Sequence, residues 1–237
     1  MSQTDESVYD YFARLNIEGK RNIWVGNQVK INYVYKKIER YIKNARTACE
    51  VGVGEGYLLR LLYNYGLEVV GVDISKYLVN HLRNKFYREG LDIELIQGDV
   101  SKVKLEKGKF DLIFCLDVLE HIPDVKKAIE NIKKGLSDGG LLIGTLPLNE
   151  NLYDNVVICP KCHHKFHRLG HCHSFSSVKE IKKLLGSEFK ILQIGEVKNF
   201  INASDIINYI IQKILRLAFR KKISRTAYFV AKLIRNH

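Results

Sequence analysis

The sequence predicts an α/β fold, in which a mostly parallel, seven-stranded sheet carries helices on both faces. Through the middle of the chain, short apolar runs alternate with amphipathic stretches, and these stretches end at glycines such as Gly66 and Gly90. Strict alternation of strand and helix produces βαβ units, whose parallel strands are buried on both faces. With 237 residues, the chain is long enough for one substantial core.

Five strands and three helices follow in order from this pattern. The apolar runs are rich in Val, Ile, Leu and Phe, as buried strands are, and leucines recur at helical spacing in GYLLRLLYNYG. Glycines mark the ends of the helices. The predicted strands are 45–51, 67–75, 91–99, 110–117 and 139–147, and the predicted helices are 56–66, 76–90 and 124–136.

Further helices and two more strands are predicted on either side of this core. Residues 8–43 place apolar side chains such as Ile31, Val34 and Ile38 on one face, and 176–186 begins with a serine cap. The runs FKILQIGEV and TAYFVAKLI supply the last two strands. We expect a single domain over 1–237, with a helical cap (1–43), a Cys/His-rich insertion after the fifth strand (156–175) and a basic amphipathic helical insertion (200–222).

Positive charge is concentrated at the C-terminal end of the chain. Between residues 198 and 237, nine Lys or Arg stand against one acid, Asp205, so +8 of the formal net charge of +12 belongs to this segment. This distribution marks a local surface and argues against a nucleic-acid-binding body. An apolar stripe at 206–219 ends in Arg-Lys-Lys (220–222). The helix either covers the sheet or pocket, or docks against an anionic membrane or a lipid-linked acceptor.

Targeting signals and cysteines favour a cytoplasmic protein. The polar N-terminus carries Asp5, Glu6 and Asp10, unlike a secretory signal, and no apolar run approaches the ~20 residues that cross a bilayer. Five cysteines, three of them in one short cluster, favour metal binding or free thiols over a disulfide framework. Cys49 and Cys115 lie inside apolar runs and are expected as small buried side chains. We expect a cytoplasmic location, with peripheral membrane contact left open.

A glycine-rich turn follows the first predicted strand, with the sequence Glu50-Val-Gly-Val-Gly-Glu-Gly. Such a turn before a helix brings backbone amides close to a ligand. The spacing differs from the dinucleotide fingerprint, which requires a glycine where Tyr57 stands. The carboxylate of Glu50 is also poorly placed for a pyrophosphate. It is well placed for a cationic ligand, such as an amino group.

Acids also end the second and third predicted strands. Asp73 lies 21 residues after Gly52, where an acid accepts hydrogen bonds from ribose hydroxyls. Asp99 ends the third strand, where a carboxylate can receive the exocyclic amine of an adenine. Ligands of open α/β sheets bind at the carboxyl ends of the strands. Three acids in register with a glycine-rich turn therefore predict a nucleoside-type ligand at this edge.

These stretches resemble the class I S-adenosylmethionine-dependent methyltransferases, and most of all their small-molecule, quinone-biosynthesis-like group. The matching segments lie in family order within residues 40–200: ACEVGVGEGYL, VVGVDIS, IQGDV, FDLIFCLDVLEHIPD and LSDGGLLIGTLP. The resemblance implies an enzyme with a Rossmann-like fold and S-adenosylmethionine as its cofactor. The implied cofactor residues are Glu50, Gly52 and Gly54 for the methionine end, Asp73 for the ribose, Ile74, Asp99 and Val100 for the adenine, and the backbone near Cys115, Leu116 and Asp117 for the remaining wall.

Methyl transfer from a sulfonium is a direct displacement, for which a protein mainly aligns the reactants and excludes water. A hydroxyl acceptor also needs a group that takes its proton. His121, in VLEHIPD after the fourth strand, is the candidate base, and the alternative is that it organises the turn. Glu120 is interpreted as a helix-start or hydrogen-bonding residue. The acceptor is left open among a small molecule, a glycan and a lipid-linked compound.

The segment CPKCHHKFHRLGHCH, residues 159–173, predicts a metal site. Cys-x-x-Cys followed by His-x-x-x-His suits a tetrahedral, zinc-ribbon-like structural zinc. A structural role is favoured because four protein ligands close the coordination shell and methyl transfer needs no activated water. His171 or His173 can alternatively be a pocket residue, and the cysteines can be surface thiols. The predicted ligands are Cys159, Cys162, His167 and His171, with His163, His164, Cys172 and His173 as spare candidates.

Two classes of function are compatible with these features. The first is a methyltransferase, favoured by the intact set of glycines and acids. The second is a non-catalytic, zinc-containing binding module on a methyltransferase-like scaffold. Nucleic-acid methylation is disfavoured, because Leu-Asp-Val-Leu (116–119) stands where a motif of the Asn-Pro-Pro-Tyr type would hold a flipped base.

Overall fold

Seven strands form one sheet, and each overlaps a strand that the sequence predicts. The computed structural model describes residues 6–19, 24–197 and 225–234, so the predicted insertion at 200–222 lies outside the described residues. Two short strands, β6 and β7, form a separate hairpin. The strands are β1 (Thr47–Val51), β2 (Glu68–Asp73), β3 (Glu94–Gln97), β4 (Phe110–Leu116), β5 (Leu136–Leu148), β6 (Val156–Ile158), β7 (Lys165–His167), β8 (Phe189–Glu196) and β9 (Arg225–Leu233).

The order of strands across the large sheet is β3-β2-β1-β4-β5-β9-β8. Strands β1 to β5 pair in parallel, whereas β9 pairs antiparallel with both β5 and β8. The predicted, mostly parallel seven-stranded sheet is confirmed. From β1 the chain proceeds outward to β2 and β3, and then returns to place β4 on the other side. A crevice therefore opens between the carboxyl ends of β1 and β4, where open α/β sheets bind ligands.

Helices cover both faces of the sheet, and their ends follow ordinary capping chemistry. The side-chain oxygens of Ser75, Asp124 and Ser177 accept backbone N–H groups in the first turns of three helices. The predicted serine cap of the last helix is Ser177. The helices are α1 (Glu6–Ile17), α2 (Trp24–Ile42), α3 (Tyr57–Asn64), α4 (Lys76–Glu89), α5 (Val125–Gly135) and α6 (Val178–Leu185).

The predicted N-terminal helical region consists of two helices, α1 and α2. Asp10 of α1 accepts hydrogen bonds from the hydroxyl of Ser75 (2.5 Å) and from the amide of Tyr77 (2.9 Å). These bonds attach α1 to the N-terminus of α4. Val34 and Ile38 of α2 are buried in the core on the same side of the sheet as α3 and α4. The two helices thereby lie beside the carboxyl edge of the sheet.

The Cys/His-rich segment lies between β5 and α6. A 3₁₀ turn at Leu152–Asn155 leads into the hairpin of β6 and β7, in which Val156 pairs with His167. Cys159 and Cys162 stand in the turn of this hairpin, while the chain after His167 returns toward the sheet edge. Among the described residues, no helix is long and apolar enough to cross a membrane.

Candidate active site

A cavity of about 620 Å³ opens at the carboxyl ends of the parallel strands. Its wall combines the turn after β1, the ends of β2 and β3, the segment after β4, helix α1 and residues that follow β7. Eight of the nine predicted cofactor residues line the cavity. Cys115, which was predicted only for its backbone, does not line it, and its side chain is buried within the core. The predicted residues that line the cavity are Glu50, Gly52, Gly54, Asp73, Ile74, Asp99, Val100 and Leu116.

The turn after β1 requires glycine for two reasons at Gly52. Its φ of 76° lies in the left-handed region, which non-glycine side chains rarely adopt. A Cβ atom at this position would also overlap Cγ2 of Val118, which follows β4. The amide of Gly52 donates to the carbonyl of Val72 at 2.8 Å, and this bond ties the turn to β2. The backbone is thus held close to the cavity with no side chain in between.

Glu50 is a buried carboxylate in the cavity wall. Its residue is 3% exposed, and Oε2 has no hydrogen-bond partner among the described residues. Burial raises the pKa of Glu50 well above its ordinary value; the amide of Leu59 lowers it and the charge of Asp73 raises it. An unpaired buried acid is unfavourable unless a cation or donor arrives. This oxygen fits the amino group of a methionine moiety, as the predicted cofactor requires.

Asp73 connects the end of β2 to the glycine-rich turn. Its Oδ2 accepts the amide of Val53 at 3.0 Å, and its Oδ1 accepts the amide of Ser75 at 2.8 Å. Burial raises the pKa of Asp73 to about 6, although the two amide bonds lower it. Each carboxylate oxygen retains a lone pair for a further donor. The side chain is therefore oriented by the backbone and available to ribose hydroxyls.

The loop after β3 presents Asp99 and Val100 to the cavity. Oδ1 of Asp99 accepts the amide of Ser101 at 2.8 Å, and the side-chain amide of Asn131 donates to the carbonyl of Val100 at 2.9 Å. These bonds hold the loop against α5. The Val100 side chain is 4% exposed, so it offers an apolar surface beside a carboxylate. This combination suits a planar base with an exocyclic amine.

Lys30 of α2 and Asp117 form an ion pair at the end of β4. Oδ1 of Asp117 also accepts the hydroxyl of Thr145 at 2.7 Å, and its φ is 54°. Both members of the pair line the cavity. The sequence analysis included Asp117 only as backbone and missed Lys30, which is 87 positions away along the chain. A single lysine in a helix carries no sequence signal of this contact.

Glu120 lies in the first turn of a short 3₁₀ helix, Leu119–His121, as predicted for a helix-start residue, and it also lines the cavity. It is 1% exposed, and its Oε2 has no partner within the described part of the chain. Burial, followed by the charge of Asp117, raises the pKa of Glu120 to about 8. Its carbonyl oxygen accepts the amide of Cys172 at 2.7 Å. Glu120 therefore joins the segment after β4 to the Cys/His-rich segment. The sequence analysis did not predict this contact.

His121 lines the cavity at the edge where the sequence placed it. Its Nδ1 lies 3.4 Å from the carbonyl oxygen of Gly170, and its ring meets His171 edge to face, with 4.7 Å between the centroids. Burial, followed by the charge of His171, lowers the pKa of His121 to about 4. The ring is therefore neutral near pH 7. Its role as the base stays a prediction.

His171 also lines the cavity, with Glu150 and His167 behind it. Nδ1 of His171 lies 2.5 Å from Oε2 of Glu150, and the rings of His167 and His171 stack at 4.9 Å. The side chains of Glu150 and His167 are each 8% exposed. Glu150 was not among the predicted site residues. An acid two residues after the apolar run of β5 was the only sequence signal for it.

The four predicted zinc ligands are not brought together among the described residues. Two overlapping sets place one ligand-type atom from each side chain within 4.8 Å of the others: Glu120 with His121 and His171, and Glu150 with His167 and His171. Neither set contains Cys159 or Cys162. The reason is the hairpin, which holds the cysteines in its turn while the chain after β7 carries the histidines back to the sheet edge.

Cys159 and Cys162 lie close together in the turn of the hairpin. Backbone hydrogen bonds from Cys162 and Lys161, together with the Cys162 side chain, lower the pKa of the Cys159 thiol. A thiolate held by two amides is a suitable ligand for zinc. Within the described residues, the structure provides these two ligands and no third one beside them.

Comparison with known proteins finds a matching family model and relatives that are named methyltransferases. Residues 49–144 match the family model described as a methyltransferase domain. The ubiquinone biosynthesis O-methyltransferase of Coxiella burnetii is 30% identical over 133 residues, which cover 56% of this chain and 56% of that protein. The enzyme of the same name from Actinobacillus pleuropneumoniae is 26% identical over 188 residues, covering 71% and 80%. The chain thus spans about half the length of the first of these relatives.

Solved structures with low sequence identity share the whole architecture. An S-adenosylmethionine-dependent methyltransferase from Clostridium acetobutylicum superposes with a TM-score of 0.64 at 18% identity, covering 96% of this chain and 100% of that one. The [4+2]-cyclase SpnF superposes with a TM-score of 0.62 at 15% identity, covering 90% and 80%. Because a cyclase shares this architecture, the fold alone does not decide the reaction. Residues 49–144 match a methyltransferase domain, and the chain has the Rossmann-like fold of the class I S-adenosylmethionine-dependent methyltransferases.

Proposed function

We propose that this chain catalyses methyl transfer from S-adenosylmethionine to a hydroxyl group of a small molecule. One observation carries the proposal: the unpaired carboxylate oxygen of Glu50 and the backbone-held carboxylate of Asp73 face the same cavity as His121 and His171. The first pair suits the charged and sugar parts of the cofactor. The second pair supplies imidazoles at the other side of the cavity.

The two halves of the cavity have different chemistry because they come from different strands. Residues after β1, β2 and β3 supply acids and close backbone approaches, which bind and orient a nucleoside bearing an amino acid. Residues after β4 and β7, with Pro147 of β5, supply imidazoles and apolar surface, including Ile122 and Leu169. The cofactor supplies an electrophilic methyl carbon on a sulfonium. The protein aligns an acceptor oxygen with that carbon and excludes water.

A hydroxyl acceptor is supported by the relatives, which are named ubiquinone biosynthesis O-methyltransferases. The apolar residues of the acceptor half favour a compact, largely apolar or aromatic molecule. A glycan or lipid-linked acceptor remains an alternative within the same reaction. Membrane docking through 200–222 stays a prediction, because this segment lies outside the described residues.

A structural zinc is a separate proposal and now rests on Cys159 and Cys162. The alternative function, a zinc-containing binding module without catalysis, requires a cavity that does not bind the cofactor. Calorimetric titration with S-adenosylhomocysteine separates the two functions. Micromolar binding, followed by transfer of a tritiated methyl group to catechol or another phenol, supports the enzyme. No binding to folded protein would overturn the methyltransferase proposal.

A further inference from the structure

The segment after β5 places one imidazole in the cavity wall and buries two ionisable groups behind it. His171 lines the cavity, whereas Glu150 and His167 do not. All three side chains are nearly buried, with exposed fractions of 11%, 8% and 8%. This is the arrangement expected when a buried carboxylate orients a histidine that acts on a ligand.

The contact between His171 and Glu150 determines which nitrogen of His171 carries the proton. A carboxylate only accepts hydrogen bonds, so the 2.5 Å contact with Oε2 requires a proton on Nδ1. In the neutral ring, the lone pair is then on Nε2. The nitrogen able to accept a proton is therefore the one that is not bound to Glu150.

His167 supports the same carboxylate from its other side. Its Nδ1 accepts the backbone amides of His171 (3.0 Å) and Leu169 (3.3 Å), so its neutral ring carries the proton on Nε2. That nitrogen has no hydrogen-bond partner within the described residues and lies 3.7 Å from Oε1 of Glu150. A protonated Nε2 cannot bind a metal ion. The set of Glu150, His167 and His171 therefore forms a hydrogen-bonding cluster around an anion.

We propose that His171, oriented by Glu150, accepts the proton of the acceptor hydroxyl during methyl transfer. Glu150 and His167 are positioning residues. The proposal deepens the proposed function and rests on it. It moves the catalytic assignment from His121, which the sequence indicated, to a histidine of the Cys/His-rich segment.

His121 lacks the feature that His171 has. Its Nδ1 faces a neutral carbonyl, that of Gly170, at 3.4 Å, and among the described residues no carboxylate is hydrogen-bonded to its ring. The ionisable groups that face His171 are Glu150 and His167 behind it, and His121 and Glu120 from the segment after β4.

The step balances in protons and electrons. As the acceptor oxygen forms a bond to the methyl carbon, its O–H proton passes to Nε2 of His171. The carbon–sulfur bond breaks, and its electron pair remains on the sulfur, which becomes a neutral thioether. The imidazolium that forms faces the carboxylate of Glu150, an opposite charge in a buried position.

Two aromatic probes test the proposal, because they differ in how readily they lose a proton. Catechol needs a base at neutral pH, whereas 4-nitrocatechol ionises far more easily. We expect His171→Gln to lower kcat/KM for catechol by about 10²–10⁴-fold and to spare 4-nitrocatechol largely. Glu150→Gln should act in the same direction with a smaller loss. His81→Gln, at a histidine of α4 that does not line the cavity, is the matched control.

Nitrogen NMR of the imidazole rings provides a readout that does not depend on activity. The proposal predicts the Nδ1–H tautomer for His171 and the Nε2–H tautomer for His167, with a change at His171 in Glu150→Gln. An Nε2–H tautomer at His171, or equal losses for both probes, would overturn the assignment. If the wild-type protein binds S-adenosylhomocysteine but methylates neither probe, the proposed acceptor class fails, and the NMR result then decides the orientation of His171.

Discussion

The carboxylate of Asp73, at the end of β2, accepts the amide of Val53 from the glycine-rich turn after β1 at 3.0 Å. One side chain thus joins the two strand ends that face the cavity. The same carboxylate accepts the amide of Ser75 ahead of α4. We therefore expect Asp73 to determine both the shape of the glycine-rich turn and the binding of the cofactor.

Replacing Asp73 tests this dependence. We expect Asp73→Ala to weaken S-adenosylhomocysteine binding by about 1.5–3 kcal/mol, the range for hydrogen bonds to charged groups. Isothermal titration calorimetry measures the change, and Asp92→Ala, at an exposed acid, is the control. Thermal unfolding of both variants checks that the turn remains folded. An unchanged dissociation constant in folded Asp73→Ala would contradict the assignment of the ribose site.

The pH dependence of binding should follow the same carboxylate. Burial raises the pKa of Asp73 from 3.8 to about 6, so the group is half protonated near pH 6 and ionised at pH 8. Since only the ionised form accepts hydrogen bonds from both hydroxyls without offering a donor, affinity should decline as pH falls below about 6. Titrations between pH 5 and 8 measure this decline. Affinity that stays constant over this range would contradict the predicted dependence of binding on the ionised carboxylate of Asp73.

The effect of Asp73 on stability has the opposite pH dependence to its effect on binding, because the pKa of this carboxyl is higher in the folded protein than in the unfolded chain. Between about pH 4 and pH 6, the folded protein holds the Asp73 proton more tightly than the unfolded chain does. The contribution of this group to the free energy of unfolding is therefore favourable at low pH and is lost as pH rises through about 6. Urea unfolding of the wild-type protein and Asp73→Ala across this window should show the difference in slope.

Gly52 is predicted to tolerate no side chain. Gly52→Ala combines a left-handed φ with overlap against Val118, whereas Gly66→Ala, with a φ of 100°, has open space around it. We expect a loss of about 1–2 kcal/mol for Gly66→Ala from backbone strain alone. The loss for Gly52→Ala should be larger by about 1–3 kcal/mol from overpacking. Urea unfolding measures both.

The overlap at Gly52 can be tested separately from the backbone strain. Val118→Ala removes the methyl groups that the new Cβ would meet. It should therefore recover part of the stability that Gly52→Ala loses, and the two substitutions should not be additive. Additive losses would show that the contact with Val118 is not the cause.

The separation of the cysteines from the histidines predicts different effects on metal content. We expect protein supplied with zinc to bind the ion at Cys159 and Cys162, and the Cys159→Ser/Cys162→Ser double variant to lose this binding. His171→Gln should leave the zinc content unchanged, because His171 is bound to Glu150. Metal analysis by mass spectrometry measures all three proteins. Loss of zinc in His171→Gln would favour the four-ligand site that the sequence predicted.

The sequence alone was sufficient to predict the fold and to bring most of the predicted cofactor residues to one edge of the sheet. Strands and helices can be predicted from the hydrophobic periodicity of neighbouring residues. The acids Glu50, Asp73 and Asp99 each lie at or near the end of a predicted strand. Parallel strands bring their carboxyl ends to one edge, so position along a strand already places these residues in space. Cys115 was the exception, because alternation along β4 turns its side chain into the core.

The acceptor half was decided by contacts between residues distant in the chain. Lys30 pairs with Asp117 across 87 positions, and His121 meets Gly170 across 49. The spacing of Cys159, Cys162, His167 and His171 suits a zinc site, but a hairpin separates the two halves of the motif. Spacing along a chain limits which residues can meet, whereas the path of the backbone determines which of them do. The sequence offered His171 or His173 as a pocket residue, but only the tertiary structure could place His171 in the cavity wall and against Glu150.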